Sequence, residues 1–218
     1  MNSLDGGHLV VGLTGQTGAG KSTVSKTFAE NGFVVINADH ISRLVVQKGT
    51  ECLEELQDVF GSEIITAEGT LNRKALASIV FSDKKKLEIL NLIIYPYITE
   101  EILHRIDMYS ANGEKLILLD APTLFESRAD DFCDLIISVV SDEEIRERRI
   151  IERDGLTEDE ARKRMSCQLD EEFFKKYSDF IINNNESLER VNEISKEVSD
   201  KIKDYYYNKI NHITTLSE

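Results

Sequence analysis

The hydrophobic positions of this chain follow two rhythms. Short runs that are apolar at nearly every position alternate with longer stretches in which apolar residues recur every third or fourth place. Unbroken apolar runs of about four to eight residues mark strands buried on both faces, and the wider spacing marks helices with one buried face. Leu9-Val10-Val11-Gly12-Leu13 is thus a first strand, and Ser22 to Asn31 a first helix ended by Gly32. Phe33-Val34-Val35-Ile36 is a second strand, opening into Asn37-Ala38-Asp39-His40 and a helix carrying Ile41, Leu44 and Val45. Lys115 to Asp120 is a third strand, Asp134 to Val140 a fourth and Phe180 to Ile182 a short fifth. Leu188 to Tyr207 is a charged terminal helix, with Tyr205-Tyr206-Tyr207 as packing or surface. Met1 to Gly7 is polar and Gly-rich, a loose leader.

Between the second and third strands, from about Gly49 to Met108, the pattern is helical throughout. Leu53, Leu56, Val59 and Phe60 share one face; Leu71, Ala75, Leu76, Ile79 and Val80 share another. A long periodic segment from Leu87 meets Pro96, where a kink or break is expected. The alternation predicts an α/β fold, a parallel sheet flanked by helices with ligands at the carboxyl ends of its strands. The expected division is a core of residues 8–39, 114–141 and 171–218, a helical insertion of residues 40–113, and a helical flap of residues 142–170.

The first strand runs into Gly15-Gln16-Thr17-Gly18-Ala19-Gly20-Lys21-Ser22-Thr23, which fits G-x-x-x-x-G-K-[ST] without mismatch. Glycines let successive backbone N–H groups point inward, and the following helix N-terminus adds partial positive charge there. Gly15 to Thr23 is therefore a binding loop for a nucleoside triphosphate. Lys21 is placed to bridge the terminal phosphates and the Ser22 hydroxyl to ligate magnesium. This makes the sheet one of P-loop NTPase type. Asp120, ending the third strand, is a Walker-B-like acid that can hold a magnesium-bound water.

Composition narrows the partners. The chain has 218 residues, 26 basic and 40 acidic, and a formal charge of −14. That balance argues against nucleic-acid or anionic-membrane surfaces. No apolar run approaches the roughly 20 residues of a membrane span, and no signal peptide is evident. Cys52, Cys133 and Cys167 are widely spaced, which fits a reduced cytoplasmic interior and offers no metal framework.

Basic charge gathers in one segment. Asp142 to Asp154 is helical and holds Arg146, Arg148, Arg149 and Arg153. Arg146 has Asp142 at i−4, and Arg148 has Glu144 and Glu152 at i±4, so solvated ion pairs are expected for both. Arg153 has no carboxylate at i±3 or i±4 and lies one turn from Arg149. Stacked like charges make sense beside a transferring phosphoryl group. Gly155-Leu156-Thr157 and a helix over Glu158 to Leu169, with Arg162, Arg164 and Gln168, complete a helix–turn–helix flap suited to a lid. A kinase acting on a hydroxyl also needs a proton acceptor. Asp39 is the candidate, with capping of its own helix as the competing role. Arg43, one turn on, is a candidate for a substrate anion.

Taken together, these residues resemble the dephospho-coenzyme A kinase family. The resemblance rests on Asn37-Ala38-Asp39 through Arg43, similar to D-A-D-x-x-x-R, on Leu71-Asn72-Arg73, and on Asp120-Ala121-Pro122-Thr123-Leu124-Phe125-Glu126, similar to D-x-P-L-L-F-E. It continues through Arg149 with Arg153-Asp154, Arg164 with Gln168, and Ser178-Asp179 through Asn184, similar to A-D-x-x-I-x-N near the adenine site. It implies ATP-dependent phosphorylation of the ribose 3′-hydroxyl of dephospho-coenzyme A. Asp39 would be the base, with Lys21, Arg149 and Arg153 around the transferred group. ATP would lie on Gly15 to Thr23 and Asn184, and the acceptor against Asp39, Arg43, Asp120 and Pro122. Magnesium would be held by Ser22 and Asp120. The chain would act as a monomer or weak homo-oligomer. Asn37, Thr123, Tyr95 (before Pro96) and Glu186 depart from the family pattern. Another small-metabolite or nucleoside monophosphate kinase is the nearest competing enzyme. A GTPase switch is disfavoured, because Asn208-Lys209-Ile210-Asn211 lacks the acid of N-K-x-D.

Overall fold

A computed structural model describes the backbone of residues 7–216 and the side chains of residues 7–210. The leader expected over Met1 to Gly7 lies outside the described residues but for Gly7. Five strands, β1 (Leu9–Gly15), β2 (Val34–Asn37), β3 (Leu116–Asp120), β4 (Leu135–Val140) and β5 (Phe180–Asn183), form one sheet in the order β2-β3-β1-β4-β5. The pairs β1–β3, β1–β4 and β4–β5 are parallel. Every residue of β1 and β3 is buried, as their unbroken apolar runs predict for central parallel strands.

Register decides what the sheet presents at its carboxyl edge. Leu13 pairs with Asp120, Gly15 with Val139, and Val140 with Asn183. Asp120, the start of the glycine loop, Ser141 and Asn184 therefore leave the sheet at nearly one level.

Nine helices are described: α1 (Lys21–Glu30), α2 (Ala38–Leu44), α3 (Glu51–Phe60), α4 (Arg73–Val80), α5 (Lys84–Ala111), α6 (Glu143–Asp154), α7 (Glu158–Ser166), α8 (Glu171–Tyr177) and α9 (Leu188–Leu216). They group into two compact units, residues 7–36 with 108–216, and Asn37–Asp107. In the first unit, Val24 and Phe28 of α1 and Val191, Val198, Ile202 and Tyr206 of α9 pack with β1, β3 and β4 in one core. Tyr206 is 2 % exposed and donates its hydroxyl to the Gly7 carbonyl at 2.6 Å, while Tyr205 and Tyr207 are exposed. In the second unit, Cys52, Leu56, Phe60, Ile64, Leu76, Val80 and Ile93 form a separate core.

Four expectations need correction. Residues 61–72 form no α-helix. A 3-10 turn at Ser62–Ile64 leads to a tight reversal that pairs Ile65 with Leu71. Gly69, at φ 79°, and the Thr66–Thr70 hydroxyl pair make that turn. Val59 is half-exposed and lies off the α3 core face. Of the kink or break expected at Pro96, the break does not occur: α5 is one continuous helix across it. Proline removes the hydrogen bond to the carbonyl of Leu92, but Leu92 is 74 % exposed, so water can serve that carbonyl. Finally, α7 ends at Ser166, three residues before Leu169, and α8 follows as an element of its own, capped by the Asp170 carboxylate on the Phe173 amide at 2.7 Å.

Gly12 packs closely against side chains beside β1. A Cβ there would stand 2.8 Å from both the Cys133 Sγ and a Leu124 methyl. Gly12→Ala should destabilise the protein by about 1–3 kcal/mol through overpacking. Adding Cys133→Ala should recover part of the loss. Urea unfolding midpoints of the two variants, read with an unchanged m-value, check both.

Candidate active site

The glycine loop owes its shape to what packs behind it. Gly18, at φ 77°, lies under α6, where a Cβ would fall 2.7 Å from the Arg146 carbonyl oxygen. Gly20, at φ 90°, is the N-cap of α1, and a Cβ would collide with the Asn184 amide. Only glycine meets both demands, a left-handed backbone and no side chain. The Asn184 Nδ2 in turn donates to the Ala19 carbonyl at 2.7 Å from a buried position. The loop amide of Thr17 donates to Gln168 Oε1 at 2.7 Å.

Helix α1 starts without a side-chain cap and without an acid in its first turn. Helices α2, α3, α4, α7 and α8 all have side-chain caps. An uncapped N-terminus behind a left-handed glycine leaves backbone N–H groups and the positive end of the helix dipole for an external anion. Those are the features a polyphosphate requires.

Two charged groups face this cradle. Lys21 Nζ pairs with Asp120 Oδ1, and both side chains are largely buried, at 17 % and 5 % exposure. Arg149, reaching down from α6, donates Nη1 to the Gly18 carbonyl at 3.3 Å and Nη2 to the Asn184 carbonyl at 3.2 Å. Burial, then the like charge of Arg148, lowers its pKa from the usual arginine value. It stays protonated regardless. Ser141 Oγ lies 3.0 Å from the same Asn184 carbonyl and 2.9 Å from Asn185 Oδ1, locking the end of β4 to the end of β5.

The other arginines of α6 differ from expectation. Arg146 is buried and donates Nε to the Ser141 carbonyl at 2.9 Å, with no ion pair to Asp142 among the described residues. The Asp142 carboxylate instead accepts from Asn185 Nδ2 at 2.6 Å. Arg148 makes no ion pair with Glu144 or Glu152 among the described residues. Arg153 has a carboxylate partner after all, its own neighbour Asp154, through Nε and Nη2 at 2.8 Å each. Asp154 also accepts from Arg164 Nη1 of α7 at 2.7 Å.

In the second unit, Asp39 is exposed in the first turn of α2. The cap of that helix is Asn37, whose Oδ1 accepts from the His40 amide at 2.8 Å. Asp39 is thus relieved of capping, and its carboxylate makes no hydrogen bond or ion pair among the described residues. Arg43 is exposed in the last turn of the same helix. In the first unit, Pro122 is half-buried, and its carbonyl accepts from the Thr14 hydroxyl at 3.2 Å.

No group of three or more His, Cys, Asp or Glu side chains able to hold a metal occurs among the described residues. The cysteines are free. Burial, then Glu55, pushes the Cys52 thiol up to about 11. Burial raises Cys133 as well, so neither is a ready thiolate.

Sequence reasoning missed Ser141 and Asn185 as supports of the loop, and placed Gln168 in the flap without its bond to the Thr17 amide. The signal for Ser141 and Asn185 is register: they lie just past strands that the sheet sets side by side.

A parallel sheet with this strand order, a glycine loop entering an uncapped helix, and a lysine paired with the acid at the end of β3 define a P-loop protein. The dephospho-CoA kinase family profile matches residues 9–190. A dephospho-CoA kinase of Listeria monocytogenes is 42 % identical over 199 residues, covering 91 % of this chain and 98 % of that protein. A solved structure from Thermus thermophilus superposes with TM-score 0.77 at 29 % identity, covering 89 % of this chain and 97 % of the other. The dephospho-CoA kinase from Campylobacter jejuni superposes with TM-score 0.69 at 28 % identity, covering 88 % and 96 %. The chain belongs to the dephospho-CoA kinase family.

Breaking the Lys21–Asp120 pair should be costly. Lys21→Met leaves a buried carboxylate unpaired and is expected to destabilise the protein by up to about 3–5 kcal/mol. The Lys21→Met/Asp120→Asn double variant should regain most of that. Chemical denaturation across the double-mutant cycle measures the coupling.

Proposed function

We propose that this chain transfers the γ-phosphoryl group of ATP to the ribose 3′-hydroxyl of dephospho-coenzyme A, giving coenzyme A and ADP, the last step of coenzyme A biosynthesis. The observation that carries this reading is the anion cradle of Gly15 to Thr23, faced by Lys21 and Arg149, in a chain that matches its named relatives over nearly their whole length.

Phosphoryl transfer asks a protein mainly for positioning and charge. The loop amides and Lys21 would take the β- and γ-phosphates, with Lys21 leaving Asp120 for the phosphate oxygens. Arg149 and Asn184 border the loop on the side of β5, where the nucleotide's adenine end would lie. Arg153, at i+4 from Arg149, would meet charge developing on the transferring group. Magnesium fits the donor set, since Ser22 is exposed and Lys21 is the one charged partner of the Asp120 carboxylate among the described residues; those two groups would hold it. When bound, it neutralises phosphate charge. Asp39, unencumbered by capping, would accept the proton of the ribose hydroxyl, and Arg43 would hold an anionic group of the acceptor.

The Asn37–Asp107 unit is read as the acceptor domain and residues 142–170 as the lid. No helix among the described residues is long and apolar enough to cross a membrane. That and the charge of −14 accord with a cytoplasmic enzyme of small molecules, monomeric or weakly self-associating, with no nucleic-acid partner.

The direct test is conversion of dephospho-coenzyme A by the purified chain with ATP and magnesium, with AMP, a nucleoside and no acceptor run alongside. Turnover of dephospho-coenzyme A alone is expected. Turnover only with another acceptor would discard the substrate. ADP release at the same rate without acceptor would discard the kinase reading. In that assay Asp39→Asn should lower kcat by roughly 10²–10⁴ with ATP binding nearly intact. Near-wild-type turnover would remove Asp39 as the base. Arg153→Ala should lower kcat more than it raises the acceptor KM, because its partner charge develops in the transition state.

A further inference from the structure

Asp154 is the last residue of α6, and one carboxylate there holds two guanidinium groups. Its Oδ1 accepts from Arg153 Nε at 2.8 Å. Its Oδ2 accepts from Arg153 Nη2 at 2.8 Å and from Arg164 Nη1 at 2.7 Å. The arginines come from different helices, α6 and α7, which meet over a small apolar contact of Ile150, Ala161 and Met165. The side chain of Asp154 is 24 % exposed, against 57 % and 50 % for Arg153 and Arg164. The carboxylate is thus the inner member and the cations the outer ones. Arg153 spends two of its five N–H donors on Asp154 and Arg164 one, which leaves donors of both on the solvent side.

The arrangement does little as a stability device. Exposed ion pairs are worth about 0–1 kcal/mol, and the α6–α7 turn already has its own fixings. Gly155 closes α6 at φ 66°, and Thr157 and Glu160 form a capping box that starts α7. What a bidentate fork adds is orientation, since it holds a guanidinium plane that would otherwise sample many rotamers. Two positive charges on one negative leave the cluster with net positive charge. The hydrogen bonds and charge of Arg153, then the charge of Arg164, hold the Asp154 carboxyl below its ordinary range, so the brace persists through the neutral range.

We propose that Asp154 is a positioning residue for phosphoryl transfer, bracing Arg153 and Arg164 as a preassembled pair of guanidinium groups for the terminal phosphate oxygens of the nucleotide. The proposal rests on the kinase reading above. Asp154 touches no reacting atom; it acts through the two arginines. A stretched or rotated Arg153 would still carry its charge, but would have to be ordered during the reaction itself.

The test uses the full chain as Asp154→Ala, Asp154→Glu and Arg153→Ala, with Arg153→Ala/Asp154→Ala. Asp154→Ala should lower kcat about 10–100-fold, the range for losing a partner that orients a metal-ligating side chain, taken here by analogy. The KM for dephospho-coenzyme A should change little, and Asp154→Glu should restore part of kcat. In the Arg153→Ala background the same loss of Asp154 should cost far less, because the group it orients is gone. Multiplying effects, or a lowered melting temperature with kcat unchanged, would make Asp154 a staple between helices and overturn the proposal.

A second readout separates this from the choice of substrate. The Arg153 Nε–H resonance should be protected from exchange in the wild type and lose protection in Asp154→Ala. Magnesium ATP should shift it only in the wild type. Free exchange in the wild type would sink the brace even if dephospho-coenzyme A is turned over. Protection and an ATP shift without turnover of dephospho-coenzyme A would keep the brace and discard only the acceptor.

Discussion

The candidate site depends on a closed contact between the tip of the glycine loop and the end of β5. Asn184 gives its amide to the Ala19 carbonyl, and Gly20 has no side chain to keep it away. The parallel register makes this possible, because Val140 opposite Asn183 sets the residues after β4 and β5 side by side. Ser141, Asn185 and Arg149 then fasten onto the same corner. A buried polar group left unpaired costs about 1–3 kcal/mol, so the corner holds as a set. What it leaves unsatisfied is the N-terminus of α1, and that is where a polyphosphate would find its partners.

Charge is distributed in keeping with this. The chain is strongly acidic overall, yet basic groups converge on the loop: Lys21 from within it and Arg149 from α6. An anion drawn to that point would meet a local field opposite in sign to the net charge. In the structure Asp120 stands in as the counter-ion for Lys21, so the lysine is neither bare nor solvated. On the proposed reading, phosphate oxygens would take the place of Asp120 beside Lys21.

Much of this was legible in the sequence where the physics is local. Apolar runs fixed the five strands to within a residue or two, because a central parallel strand has no polar alternative. The loop was legible because glycine spacing and Lys21-Ser22 encode a backbone shape directly. Tyr205-Tyr206-Tyr207 reads only as packing or surface in the sequence, and it is the structure that buries Tyr206 alone of the three. Failures came where a partner was distant or unexpectedly close. Helical spacing assigned Arg146 to Asp142, but the Ser141 carbonyl and burial took it. A search at i±3 and i±4 passed over Asp154, the adjacent residue that holds Arg153. Of the kink or break expected at Pro96, the break does not occur; the exposure of Leu92, which lets water replace the lost bond, is a tertiary fact. The reversal at Thr66–Thr70 was hidden inside a helical-looking stretch, although Gly69 was its local sign.

The most direct measurement is a crystal structure of the chain with ADP and magnesium. The account predicts the β-phosphate on the amides between Gly18 and Ser22, with Lys21 Nζ on phosphate oxygen and Arg149 still fastened to Asn184. A nucleotide bound elsewhere, or a Lys21–Asp120 pair unchanged beside bound phosphate, would contradict it.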